Sequence, residues 1–128
     1  MESIEYGREN LELFDANLGE DKFRYINKHI LGNVKKFTSM FAKSENPLML
    51  IVNPPRSGIH KKIATAICKT EKIKYMAYIT CDLKASFNVL SLLLKKGNFR
   101  IKGTQVVDMF PRTDKYETII FLEKIIVP

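Results

Sequence analysis

The feature that most constrains this chain is a repeated switch between short apolar runs of strand character and longer stretches of helical period, from one end to the other. That alternation is the pattern of a βα-repeating domain with a mostly parallel sheet covered on both faces. Ser3 to Tyr6 reads as a short strand, and Arg8 to Leu18 as a helix with Leu11, Phe14 and Leu18 on one stripe, closed by Gly19. Phe23 to Ile26 is a second strand, and Ile30 to Ala42 a helix presenting Ile30, Val34, Phe37 and Phe41. Leu48 to Val52 is continuously apolar, as in a strand covered on both sides, and stops at Asn53-Pro54-Pro55, where proline forbids further ladder hydrogen bonds.

The remaining segments repeat the theme. Ile59 to Thr70 is helical, Tyr75 to Thr80 a strand, and Lys84 to Lys96 a helix expected to turn Phe87, Leu90, Leu93 and Leu94 inward. Lys95 and Lys96 complement the negative end of that helix, and Gly97 or Asn98 takes the left-handed cap. Phe99 to Val107 and Thr118 to Ile126 are strands joined only by a loop, so the sheet is expected to finish with an antiparallel pair.

With 128 residues, 45% of them hydrophobic, one core and one domain over 1–128 is the natural organisation. The net charge of +7 favours contact with a polyanion, although charge of this size is also common on a merely solvated face. Cys68 and Cys81 stand in neither a disulfide-framework nor a zinc-like spacing, so no metal is expected and a reducing cytoplasmic or nuclear setting fits. No apolar run approaches the length of a bilayer span, and the acidic N-terminus is unlike a signal peptide; a soluble protein with no membrane partner is expected.

In an open α/β sheet, ligands gather beyond the carboxyl ends of the strands. Glu5, Asn53 and Cys81 stand at such ends, and Glu117 stands at the entrance of the last strand; if that strand is antiparallel, all four share one edge. Cys81 is either a small buried hydrophobe or, beside a helix N-terminus, a nucleophile. Glu117 either pairs with Lys115 or serves as a base. Cys68, on an apolar helix face beside Ala64 and Ile67, reads as structural. Asn53-Pro54-Pro55-Arg56 has the form of the loop that presents a flipped base in amino-methyltransferases, but Arg56 replaces the stacking aromatic residue.

The strings Asn53-Pro54-Pro55-Arg56-Ser57-Gly58, Tyr78-Ile79-Thr80-Cys81, and Val107-Asp108-Met109-Phe110-Pro111-Arg112-Thr113 followed by Glu117-Thr118 together resemble, in order and spacing, the AdoMet-dependent RNA uracil-5-methyltransferases. The resemblance runs from about residue 3 onward, Ile4-Glu5 and the helix with Asp15, Ala16 and Asn17 matching that family's second strand and helix. It implies part of a Rossmann-like class I methyltransferase domain, mostly parallel with an antiparallel last strand, and transfer of a methyl group from S-adenosyl-L-methionine to C5 of a uridine in tRNA or rRNA. Cys81 would be the nucleophile and Glu117 the proton acceptor; Glu5 and Asn53 would bind the cofactor; Pro55, Arg56 and Thr113 would contact RNA.

Several positions depart from the family pattern. Asn53 stands for Asp, Asp82-Leu83 for Asn-Pro after the cysteine, and Lys115 or Tyr116 for a histidine before Glu117. A carboxylate at position 82 would oppose thiol ionisation if it faced the sulfur. No glycine-rich cofactor loop is found, and the first strand is missing, so the chain is expected to work with an N-terminal half or another chain, or else to be a non-catalytic RNA-binding or ribosome-associated remnant.

Overall fold

A computed structural model describes residues 30–125 together with the short strands β1 (Glu2–Ser3) and β2 (Arg24–Tyr25). There are two compact units, Met1–Asn33 and Val34–Pro128. In the first, β1 and β2 pair in parallel, and a 3-10 turn covers Leu31–Asn33. Both strands overlap segments expected to be strands; Glu5 and the helix expected over Arg8 to Leu18 lie outside the described residues.

The second unit runs α1 (Val34–Ala42), β3 (Leu48–Val52), α2 (Lys61–Lys69), β4 (Ile73–Thr80), α3 (Leu83–Lys96), β5 (Phe99–Val107) and β6 (Glu117–Lys124). The helix expected from Ile30 begins only at Val34, after Gly32 and Asn33, both weak helix formers. The sheet order is β3-β4-β6-β5. β3 and β4 are parallel, while β6 lies antiparallel to both β4 and β5, so three strands run one way and the last runs back between two of them. This insertion brings the carboxyl ends of β3, β4 and β5 and the start of β6 to a single edge.

Alternation along the strands sends Met76, Tyr78, Ile120 and Leu122 into a core shared with Ile67, Leu93 and Phe99. Each such side chain contributes about 1.5–3 kcal/mol through removal from water. Two expectations fail here. β3 is not covered on both sides: Leu48, Leu50 and Val52 pack against the core, but Met49 and Ile51 are 58% and 63% exposed, because the described helices lie on one face of the sheet. Phe87 does not point inward either; it is 68% exposed, and the buried stripe of α3 passes through Ser86 and Leu93 with Leu90 beside them. That stripe keeps the helical spacing, with its start moved by one residue to a small polar side chain that fits under Tyr78.

The end of the sheet away from the shared edge is closed by Lys124. Its Nζ donates to the carbonyls of Cys68 and Thr70 at 2.9 Å and of Ile67 at 3.4 Å, capping the carbonyl end of α2, and lies 5.0 Å from the Phe99 ring centroid. Asn98, with φ 53°, takes the left-handed position after α3, whereas Gly97 stays right-handed.

Candidate active site

Three loops meet the shared edge. The first leaves β3 at Asn53 and turns over Pro55–Gly58, where the Gly58 N–H donates to the Pro55 carbonyl at 2.8 Å. Gly58 has φ +73°, and a Cβ there would lie 3.5 Å from the Tyr78 Oη and 4.0 Å from the Ser86 Cα, so the loop is seated on β4 and on the first turn of α3. His60 then starts α2, its side chain accepting from the Lys62 N–H.

The second loop is Thr80-Cys81-Asp82. Asp82 caps α3, its carboxylate accepting from the Ala85 N–H at 2.9 Å. Its negative charge is thereby engaged by the helix terminus. Cys81 is exposed at the tip, immediately before that cap. The third loop, residues 108–116, joins β5 to β6. The Thr113 hydroxyl donates to the Phe110 carbonyl at 2.8 Å and accepts from the Lys115 N–H at 3.2 Å, and Arg112 takes φ 73°, a region few non-glycine residues enter.

Register decides which residues meet. In the β4–β6 ladder the last pair is Thr80 with Thr118, so Cys81 follows that pair on one strand and Glu117 precedes it on the other, where Glu117 faces Val107 of β5. In the β3–β4 ladder Val52 faces Tyr78, so Asn53 follows beside Ile79, two residues before Cys81. Cys81, Glu117 and Asn53 therefore gather at one edge, with Pro55 and Arg56 on the adjoining loop.

Hydrogen bonding separates structural from available groups. Among the described residues, the side chains of Asn53, Arg56, Cys81 and Glu117 make no hydrogen bond or ion pair, whereas those of His60, Thr80, Asp82 and Thr113 are engaged in holding the loops. Thr113 thus serves the turn that carries the third loop. Pattern reading passed over Tyr78 and Ser86, whose hydroxyls lie under the first two loops; the only hint was a serine at the head of an otherwise apolar helical stripe.

A separate groove lies away from this edge. A space of about 830 Å³ between α1 and α2 is lined by Lys35, Thr38, Lys62, Lys69 and Lys72, and none of the edge residues borders it. Among the described residues there is no group of three or more His, Cys, Asp or Glu able to hold a metal ion, and no helix is long and apolar enough to cross a membrane.

The sequence pattern of the tRNA (uracil-5-)-methyltransferases matches residues 29–125, well over half of the chain. The chain belongs to that family. It is 34% identical over 88 residues to mouse (Mus musculus) tRNA (uracil-5-)-methyltransferase homolog A, covering 63% of this chain and 14% of that protein. Against the 23S rRNA (uracil(747)-C(5))-methyltransferase RlmC of Photorhabdus laumondii it is 35% identical over 81 residues, covering 63% and 20%. The chain thus spans a fifth or less of the length of these two relatives. A solved structure of the Pyrococcus abyssi tRNA (uracil-54, C5)-methyltransferase in complex with S-adenosyl-L-homocysteine superposes with a TM-score of 0.63 at 18% identity, covering 94% of this chain and 28% of that one. The chain shares the fold of that structure, and Asn53, Cys81 and Glu117 lie within the residues that the family pattern matches.

Proposed function

We propose that this uracil-5-methyltransferase family chain provides the covalent half of the site, with Cys81 as nucleophile and Glu117 as base toward a uridine of tRNA or rRNA. The observation that carries the proposal is the β4–β6 register, which brings an exposed thiol and an uncommitted carboxylate to the same end of two adjacent strands. In the reaction the Cys81 thiolate forms a bond to C6 of the uracil ring, and the electron pair of the 5,6 double bond moves toward the C4 carbonyl, making C5 nucleophilic. S-adenosyl-L-methionine, when bound, supplies an electrophilic methyl group on a sulfonium. Once C5 carries that methyl group, the Glu117 carboxylate takes the C5 proton and the C6–S bond breaks, restoring the double bond and the thiolate.

The available residues fit one wall of a cofactor and RNA site. Asn53 keeps a free amide at the end of β3, suited to a polar part of the cofactor. Glu5, which lies outside the described residues, is proposed for the ribose hydroxyls from the sequence resemblance alone. Arg56, exposed and unpaired, suits a phosphate or the plane of a splayed base, with the rigid Pro55 beside it. The uridine must leave its stack to reach Cys81, since C6 is inaccessible in a helix.

Reversible addition of Cys81 to C6 labilises the hydrogen at C5, so RNA tritiated there should release tritium to water. RNA containing 5-fluorouridine should be trapped in the presence of S-adenosyl-L-methionine as an adduct stable to denaturation, because fluorine cannot leave as a proton does. Cys81→Ala is expected to abolish both signals, and Glu117→Gln to abolish tritium release. A folded chain that shows neither release nor adduct overturns the proposal.

A further inference from the structure

Beneath the two loops runs a line of buried hydroxyls. The Tyr78 Oη lies 3.3 Å from the Ser86 Oγ, which lies 2.8 Å from the Thr80 Oγ1, and Thr80 in turn bonds both the N–H and the carbonyl of Asp82 at 3.1 Å. Tyr78 and Ser86 are 0% exposed and Thr80 5%. Counting protons fixes the direction. Thr80 accepts from the Asp82 N–H; if its single proton goes to the Asp82 carbonyl, Ser86 must donate to Thr80, and the one donor left for Ser86 is Tyr78. The chain Tyr78→Ser86→Thr80→Asp82 satisfies every member once as donor, the condition under which buried hydroxyls are tolerated. By contrast the neighbouring Thr118 hydroxyl, 3% exposed, has no partner among the described residues, so pairing in this region is selective.

The two ends of the chain are the informative part. Its tail grips both backbone groups of Asp82, so Cys81 is the only residue between the anchor and its target. Its head, Tyr78, sits under Gly58, the last residue of the Asn53 loop. We infer that this hydroxyl chain is a positioning device that fixes the Cys81 tip relative to the Asn53 loop, with Thr80 and Ser86 as positioning residues for the nucleophile. The inference rests on the proposed role of Cys81 for its functional meaning, but not for its geometry.

The bond lengths rank the members. The 3.3 Å link from Tyr78 is long for a hydroxyl pair, and the 2.8 Å link is ordinary. Thr80→Val should therefore do most, Ser86→Ala less and Tyr78→Phe least, with Thr80→Ser restoring the parent behaviour. Each is small or isosteric, and circular dichroism checks the fold. Three readouts are made on the chain with Cys68→Ala, so that Cys81 is the sole thiol. Amide hydrogen exchange at Asp82 should accelerate in Thr80→Val and Ser86→Ala while the amides paired along β4 keep their protection. Tritium release from C5-labelled RNA should fall on the order of ten- to a hundredfold in Thr80→Val, because small misplacement of a reacting group is costly, while alkylation of the exposed thiol by iodoacetamide changes little. Loss that followed melting alone would instead speed exchange at the paired β4 amides as well.

Unchanged exchange at Asp82 in folded Thr80→Val overturns the device. Faster exchange with undiminished tritium release overturns its positioning role. If the parent chain releases no tritium, the nucleophile reading fails and takes the positioning role with it, and Asp82 exchange still judges the hydroxyl chain as a lock on the turn.

Discussion

The two cysteines stand at opposite ends of β4 and show how differently one fold treats the same side chain. Cys68 lies in the last turn of α2, shortly before the strand begins; its Sγ lies 3.8 Å from the Leu92 carbonyl, and burial pushes its thiol above the ordinary value against the opposing pull of Lys124. Cys81 follows the strand's last residue, is exposed, and has no hydrogen-bond partner among the described residues. One is enclosed by a closed hydrogen-bonded end that Lys124 fastens; the other is held out from a loop whose every bond lies on the neighbouring residues. A thiol becomes available for chemistry here because its neighbours, Thr80 and Asp82, take all the structural work.

The contrast can be broken or sharpened by measurement. The largest effect should be kinetic: iodoacetamide is expected to modify native Cys81 more than about tenfold faster than Cys68, because Cys81 is exposed while burial both encloses Cys68 and disfavours its thiolate. Peptide mapping after partial reaction reads the ratio, and equal rates would erase the distinction. Next comes Gly97→Ala, whose Cβ would lie 2.6 Å from the Leu93 carbonyl, 2.8 Å from the Phe99 ring and 2.9 Å from the Cys68 Sγ. Overpacking of this kind costs about 1–3 kcal/mol and should lower the melting temperature while leaving Cys81 alkylation unchanged.

Lys124→Met tests the fastening from the other side. Three carbonyls at the end of α2 lose their donor, at a cost of about 1–3 kcal/mol in chemical denaturation. Native-state alkylation of Cys68 should then speed up, since its enclosure opens more often.

The smallest effect is in alkaline solution. The folded Cys68 thiol ionises above 9.0, so the unfolded chain loses that proton first; the stability from the neutral buried thiol is complete below 9.0 and is lost as pH rises through the folded value. Lys124 acts with the opposite sign: burial depresses its value below 10.5, so stability rises as pH climbs through the depressed value toward 10.5. Removing Cys68 with Ala should leave only the second trend, giving a more positive slope of stability against pH between about pH 8.5 and about pH 10 than the parent shows.

Much of this was legible in the residues. β3 to β6 and the helices between them fall within a few positions of where period and turn signals set them, since Asn53-Pro54-Pro55 and Gly97-Asn98 stop elements by local stereochemistry. The antiparallel last strand was also foreseeable, because the loop after Val107 is too short to hold a crossover helix. The inward face of α3 was not: Phe87 is as apolar as its neighbours, and only the presence of Tyr78 beneath decides that Ser86 fills the buried place. Likewise Met49 and Ile51 read as buried from hydropathy, while coverage depends on which helices reach that face.

The sequence by itself determined the order of elements, the placing of Cys81 after one strand and Glu117 before another, and the motifs that mark a uracil-5-methyltransferase family member. Periodicity, prolines and glycines act over a few residues, so they need no partner to be read. Only the tertiary structure decided that β6 slots between β4 and β5, that Thr80 therefore faces Thr118 with Cys81 and Glu117 at the same end of that ladder, and that a hydroxyl chain underlies both loops. Strand neighbours and buried hydrogen bonds join positions far apart in the chain, and their choice is made by satisfying the whole sheet and core at once rather than any local stretch.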